Sequence, residues 1–224
     1  RDTVDTLVMR NDRSILLIDT AGIRRSGKVG TGIEKYSVIR AIRAIDRADV
    51  AILLLDVTEP STSQDTHIAS YILDSFKGIV LAVNKWDLAR GKRTSEVEPE
   101  VRRGLKFLDY APLAFVSATK GQGIKRLFPL IQKAYGAAHR RVATAELNRF
   151  LKAVDFDRVS YPGFRKPTIR YVTQPAVAPP TFVFFANRAG PFHFSFQRFL
   201  RNQLRRAFDF EGTPVVVKSK STGR

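Results

Sequence analysis

An α/β layered sheet with crossover helices, joined to a small α+β domain, is the fold class that these 224 residues predict. Three observations carry it. Up to residue 138, apolar strand-like runs alternate with helical patterns. The stretch "GAAHRRVATAE" then breaks the alternation, which places the boundary between domains 1–138 and 139–224. Beyond it the order becomes helix, strand, strand, helix, strand, enough for a second sheet of its own.

"VDTLVMRNDRSILLID" predicts two short strands around an Asn11-Asp12 turn, the second running apolar into Asp19. In "IEKYSVIRAIRAIDRAD", Ile33, Tyr36, Ile39, Ile42 and Ile45 recur every three residues, which predicts an amphipathic helix buried on that stripe. "VAILLLDV" is apolar throughout, as in a parallel strand covered on both faces. There follow a helix over 64–76, the strand "GIVLAVN", a charged helix over 95–107, the strand "LAFVSA" and a helix over 123–137. The second domain opens with a helix over 145–154. Strand "TIRYVTQ", the loop "PAVAPP", strand "TFVFFAN", a helix over 194–208 and strand "PVVVKSK" complete it.

Composition narrows the function. The net charge is +17, and residues 139–224 hold 16 Lys and Arg against 5 Asp and Glu, a net +11. Such an excess points to an anionic partner, nucleic acid first. With no cysteine, disulfides, thiolate zinc sites and cysteine nucleophiles are excluded, and a cytoplasmic location is permitted. No apolar run reaches the roughly 20 residues that span a bilayer. His67, His139 and His193 lack metal-ligand spacing, and no catalytic triad or paired carboxylate site emerges from order or spacing. The chain begins at Arg1 without an initiator methionine or signal-peptide pattern, so a fragment of something longer is expected.

Asn84-Lys85-Trp86-Asp87 closes the strand "GIVLAV" at its carboxyl end, where open α/β sheets bind ligands. Guanine presents two donors on one edge, N1–H and the exocyclic amine, and a carboxylate at Asp87 accepts both. Adenine offers an acceptor there and is repelled. Asn84 is expected to tie loops together and contact the base edge, and the stem of Lys85 to lie on the base plane. Ser117-Ala118 ends the next strand, where a backbone N–H is expected to meet guanine O6. Asp19-Thr20-Ala21-Gly22, followed by Ile23, closes an earlier strand, in the right order for a segment sensing a γ-phosphate and its magnesium.

A rival reading starts at Gly22, because "GIRRSGKV" nearly matches the phosphate cradle G-x-x-x-x-G-K-[ST]. Val29 lacks the hydroxyl that the cradle places on magnesium, and Asp19 stands three residues before Gly22 rather than on a later strand. Asp19 is therefore read as the magnesium aspartate, acting through water, and the Gly22 N–H as a donor to the γ-phosphate. "GTPVVVKS" at residues 212–219 fails because Val217 holds the second glycine position. A phosphate loop is thus expected upstream of Arg1.

Together, "RDTVDT", "IDTAGIRRSGKVGTGIEKYSVIRAIRAIDRADVAILLLD", "VNKWD", "SATKGQG", "PPTFVF" and "FQRFLRNQLRRAFDFEGTPVVVKSKS" resemble the bacterial GTPase family Der, also called EngA. The resemblance runs over essentially the whole chain. It implies a P-loop GTPase-type layered sheet, N-terminally truncated and lacking its P-loop, followed by a KH-like domain. It also implies GTP and GDP as ligands with Mg2+, hydrolysis coupled to assembly of the large ribosomal subunit and its rRNA, and a further N-terminal GTPase domain as partner. Ile23 fits a family without a catalytic glutamine there, since an aliphatic side chain orients no water. The resemblance implies K+ only through a phosphate-loop asparagine that this chain does not contain.

The glycines of residues 139–224 include no GxxG clamp, so a helix stripe of Arg198, Arg201, Arg205 and Arg206 is the expected RNA contact, with docking against the GTPase domain as its rival. Two other functions stand beside the truncated GTPase: a nucleotide-incompetent basic rRNA-binding scaffold, or another GTPase of the TrmE–Era type. The missing cysteine motif and missing GxxG weigh against the latter.

Overall fold

The computed structural model describes residues 5–10, 13–18, 39, 41–156, 167–187 and 190–222. Its strands form three sheets. β1 (Asp5–Arg10) and β2 (Arg13–Ile18) make an antiparallel hairpin in register from Asp5 opposite Ile18 to Arg10 opposite Arg13. This hairpin is a sheet to itself rather than part of a continuous layer, because no ladder of hydrogen bonds joins it to another described strand. Arg47 pairs with Asp5, and the Arg10 guanidinium lies 4.6 Å from the Phe128 ring centroid.

Helix α1, described over residues 41–47, corrects the predicted stripe only in part, since Ile45 is buried as expected and Ile33 and Tyr36 lie outside the described residues. Ala41, Ala44 and Ile45 are buried, whereas Ile39 is 46% exposed. The true stripe follows the small residues at spacings of three and four, which let the helix approach closely. β3 (Val50–Asp56), β4 (Gly78–Asn84) and β5 (Leu113–Phe115) pair in parallel in that order. Central β4 is covered on both faces. Ile79, Leu81 and Val83 join a core with α2 (Ser63–Asp74) and α3 (Thr94–Gly104), while Val80 and Ala82 face α4 (Ile124–Ala138). β3 is not buried throughout as predicted: Leu54 is 59% exposed, since β3 is the edge of the described sheet. The capping box of Thr62 and Asp65 starts α2, each side chain bonding the other's backbone N–H.

The second domain stacks α5 (Thr144–Ala153) and α6 (Phe194–Phe208) on one face of β6 (Ile169–Ala176), β7 (Thr181–Ala186) and β8 (Val216–Ser221). β6 and β7 are antiparallel, β7 and β8 parallel. The stretch at the domain boundary is held by hydrogen bonds to the second domain. Buried Gln174 accepts from the Val142 N–H at 2.8 Å and donates to the Arg140 carbonyl at 2.8 Å, and the Ala178 N–H donates to the Ala138 carbonyl.

Candidate functional site

β4 and β5 deliver two loops side by side at the carboxyl end of the parallel sheet. The chain leaves β4 through Lys85, whose φ of 61° turns it sharply, and the Trp86 N–H then donates to the Val116 carbonyl at 3.0 Å. This left-handed turn costs roughly 1–2 kcal/mol for a non-glycine residue. Offsetting it, Lys85 Nζ pairs with Asp56 Oδ2 at 2.5 Å, and Asp56 is the register partner of Asn84 across β3 and β4.

Side chains lock the loops together. Asn84 Oδ1 accepts from the Ala118 N–H at 3.0 Å, and Ser117 Oγ donates to Asp87 Oδ1 at 2.5 Å. Ser117 is fully buried and its hydroxyl also accepts from the Lys120 N–H, so its rotamer is fixed from both sides. Asp87 is exposed. Each carboxylate oxygen has two lone pairs, so the bond from Ser117 orients the group and still leaves acceptors for two parallel donors. The structure thus brings Asn84, Lys85, Asp87, Ser117 and Ala118 together. Of the two N–H groups of Ser117-Ala118, one of which is expected at guanine O6, that of Ser117 donates to the Gln122 carbonyl and that of Ala118 to Asn84, so an arriving carbonyl oxygen must share or displace one of those bonds. The Trp86 ring packs against Phe115, with centroids 4.5 Å apart. Gln122, Gly123, Thr94 and Arg126 complete a shallow hollow there.

Asp56 was not singled out by sequence reasoning, although an aspartate closing an apolar strand is the same signal that marks Asp19. Burial alone would raise its pKa, but the Lys85 ammonium and the Thr58 N–H and hydroxyl outweigh burial and hold it at about 2. Asp19, Thr20, Ala21, Gly22 and Ile23 lie outside the described residues.

The predicted arginine stripe does not present one free face. Arg198 and Arg206 are exposed, while Arg201 and Arg205 are half-buried, Arg201 donating to Gln197 Oε1 at 3.0 Å. The Arg205 guanidinium lies 4.1 Å from the Tyr110 ring centroid, and burial lowers the pKa of both Arg201 and Arg205. This seam closes at the amino end of the sheet. There the Ile79 N–H donates to the Gly212 carbonyl at 2.7 Å and the Gly212 N–H to the Tyr110 carbonyl at 2.8 Å. Lys133 of α4 pairs with Asp209 and Glu211 beside them. Sequence patterning marked Arg201 and Arg205, with docking against the first domain as a rival use of their stripe, but no repeat or motif marked Tyr110, Gly212 or Lys133 as members of this seam.

Among the described residues no group of His, Asp and Glu is placed to hold a metal ion, and no helix is long and apolar enough to cross a membrane. Residues 3–137 match the family model of the elongation factor Tu GTP-binding domain, and residues 141–220 that of the KH-domain-like C-terminal region of EngA bacterial GTPase enzymes. GTPase Der of Chloroflexus aggregans is 45% identical over 228 residues, covering 100% of this chain and 51% of that protein. GTPase Der of Thermomicrobium roseum is 46% identical over 225 residues, covering 97% and 48%. The chain thus spans about half the length of these curated relatives. Among solved structures, Aquifex aeolicus Era bound to GDP.AlF4- is 17% identical at a TM-score of 0.49, over 98% of this chain and 81% of that one. A probable GTP-binding protein engB is 19% identical at 0.47, over 59% and 84%. With a GTP-binding domain matched over more than half its length and an EngA-type KH-like domain after it, the chain belongs to the GTPase Der (EngA) family.

Proposed function

We propose that this chain recognises guanine nucleotides through Asp87 and Asn84 and takes part in GTP hydrolysis coupled to assembly of the large ribosomal subunit in the cytoplasm. The observation that carries the base-reading part is the pair of cross-loop bonds, Ser117 to Asp87 and Ala118 to Asn84, which hold a carboxylate and an amide at one sheet end. Preorganised acceptors lose no free energy on reorientation when the base arrives. Asp19, as a magnesium aspartate acting through water, with Thr20, Ala21, Gly22 and Ile23 around the γ-phosphate, rests on order and spacing in the sequence. The family resemblance supports the ribosomal role, and the net +11 of residues 139–224 supports rRNA as a contact. Exposed Arg198 and Arg206 remain the helix arginines available to it.

The test is binding of fluorescent GDP to this chain and to the same chain extended upstream through a phosphate loop, with excess ATP as competitor. ATP is expected not to compete. Asp87→Asn should weaken GDP binding by about 10- to 100-fold, the worth of a charge-assisted hydrogen bond, and shift preference toward xanthine nucleotides. Unchanged selectivity for GDP over XDP would remove Asp87 from the reading.

A further inference from the structure

The sheet of the second domain buries one face. Val172, Phe182, Phe184, Ala186 and Val217 point into the core under α5 and α6, and the residues between them point outward. On that outer face Tyr171 and Phe185 are register partners. Their rings stack with centroids 4.2 Å apart and planes 14° from parallel. Tyr171 is 41% exposed. Phe185 is in turn the register partner of Lys220, whose Nζ lies 5.9 Å from the Phe185 ring centroid. Lys218 stands two residues earlier on the same side, roughly 6.6 Å along the strand. Both lysines are exposed, as is Arg170 in the bulge beside Tyr171. β6, β7 and β8 together carry these three cations and no carboxylate.

A large stacked ring pair left at a surface is apolar area awaiting a cover, and its surroundings say what kind. Cations without any acid select a polyanion over an apolar protein surface. The flat ring selects a polyanion whose π-faces are accessible, which a duplex hides in its stack and a single strand offers. A row running Tyr171, Phe185, Lys220 across three strands places a stacking surface and a phosphate contact side by side.

We infer that the outer face of β6–β7–β8 binds single-stranded RNA, with the Tyr171–Phe185 stack as the base platform and Arg170, Lys218 and Lys220 as phosphate contacts. The inference rests on the part of the proposed function that makes RNA a ligand, and it places the base contacts on the sheet, apart from the phosphate contacts of Arg198 and Arg206 on α6. A sheet platform needs no GxxG loop, so the missing clamp does not count against it.

The test is fluorescence anisotropy of a labelled 12-nucleotide single-stranded RNA of mixed sequence, titrated with the intact chain at several salt concentrations. Tyr171→Ala should weaken binding about 10-fold, within the range for loss of one stacked base, and Tyr171→Phe should restore it. Lys218→Ala with Lys220→Ala should flatten the slope of log K against log salt by about 1.4, two single-strand phosphate contacts. Arg198→Ala with Arg206→Ala should weaken binding less than the paired lysine substitutions do, and should leave the effect of Tyr171→Ala unchanged. Circular dichroism melts of each variant report whether the fold is kept. Equal affinity of Tyr171→Ala and the parent chain would overturn the platform. If the α6 variants alone lose binding, RNA stands as ligand and the sheet falls. If the parent chain binds no RNA at low salt, both fall and the face belongs to a protein partner.

Discussion

At the carboxyl ends of β4 and β5 the polar groups are paired across the two loops, Ser117 to Asp87 and the Ala118 N–H to Asn84, and Asp87 is exposed to solvent. At the amino ends of the same strands, the Tyr110 hydroxyl, the Nε of Arg201 and Arg205 and the Thr213 hydroxyl are buried without a partner among the described residues. Each such atom costs about 1–3 kcal/mol in lost hydration. What holds the amino end is backbone bonding through Gly212, the Arg205–Tyr110 stack and close packing. One end of the sheet is arranged to meet a ligand, and the other to join two domains at the expense of polar satisfaction.

Changes at each end should therefore read out differently. The largest effect is expected from Gly212→Ala. Gly212 has φ +75°, and a Cβ built there would lie 2.6 Å from the Cβ of Ala134. Left-handed strain and forced movement of α4 together cost about 3 kcal/mol. Urea unfolding should show that loss while the folded fraction keeps its guanine selectivity; a loss of selectivity would mean that the two ends are coupled.

Asp56→Asn is expected to cost less, about 1 kcal/mol near neutral pH, because solvent reaches a side chain that is 27% exposed. The folded pKa of Asp56, about 2, lies below its ordinary value of 3.8. Its contribution is therefore present above that ordinary value and lost as pH falls through about 2. The difference in unfolding free energy between parent and variant should shrink steadily from pH 4 to pH 2. A constant difference would mean that the Lys85 pair is not its source.

Tyr110→Phe should have the smallest effect, a gain of at most about 1 kcal/mol, since it deletes an unpaired buried hydroxyl and keeps the ring under Arg205, while the hydroxyl's lost packing contacts offset part of the hydration regained. Burial raises the hydroxyl pKa to about 12, so the parent itself should show no tyrosinate step from this residue below that pH. A measurable loss of stability in Tyr110→Phe would reveal a partner for the hydroxyl and narrow the contrast between the two ends.

Most strands and helices were legible because each announces itself within a few residues. β4 is six apolar-to-small residues closed by Asn84, and α2 opens on a Thr62–Asp65 capping box. The errors fell where burial depends on neighbours. Leu54 looks like a core residue and is exposed because β3 is an edge of the described sheet. Ile39 continues an apolar stripe, yet the helix packs on Ala41 and Ala44. The arginines of α6 fit an even stripe, but two of them are half-buried, Arg205 against Tyr110 of the first domain.

The sequence by itself determined the α/β-then-α+β order, the basic second domain and the NKWD and SA segments, because each is a property of residues adjacent or periodically spaced in the chain. Only the tertiary structure decided that Asp56 holds Lys85, that Arg205 lies on Tyr110 and that Tyr171 stacks on Phe185. Those pairings join residues 14 to 95 positions apart. No local periodicity encodes them, because strand register and domain docking alone bring their side chains within contact.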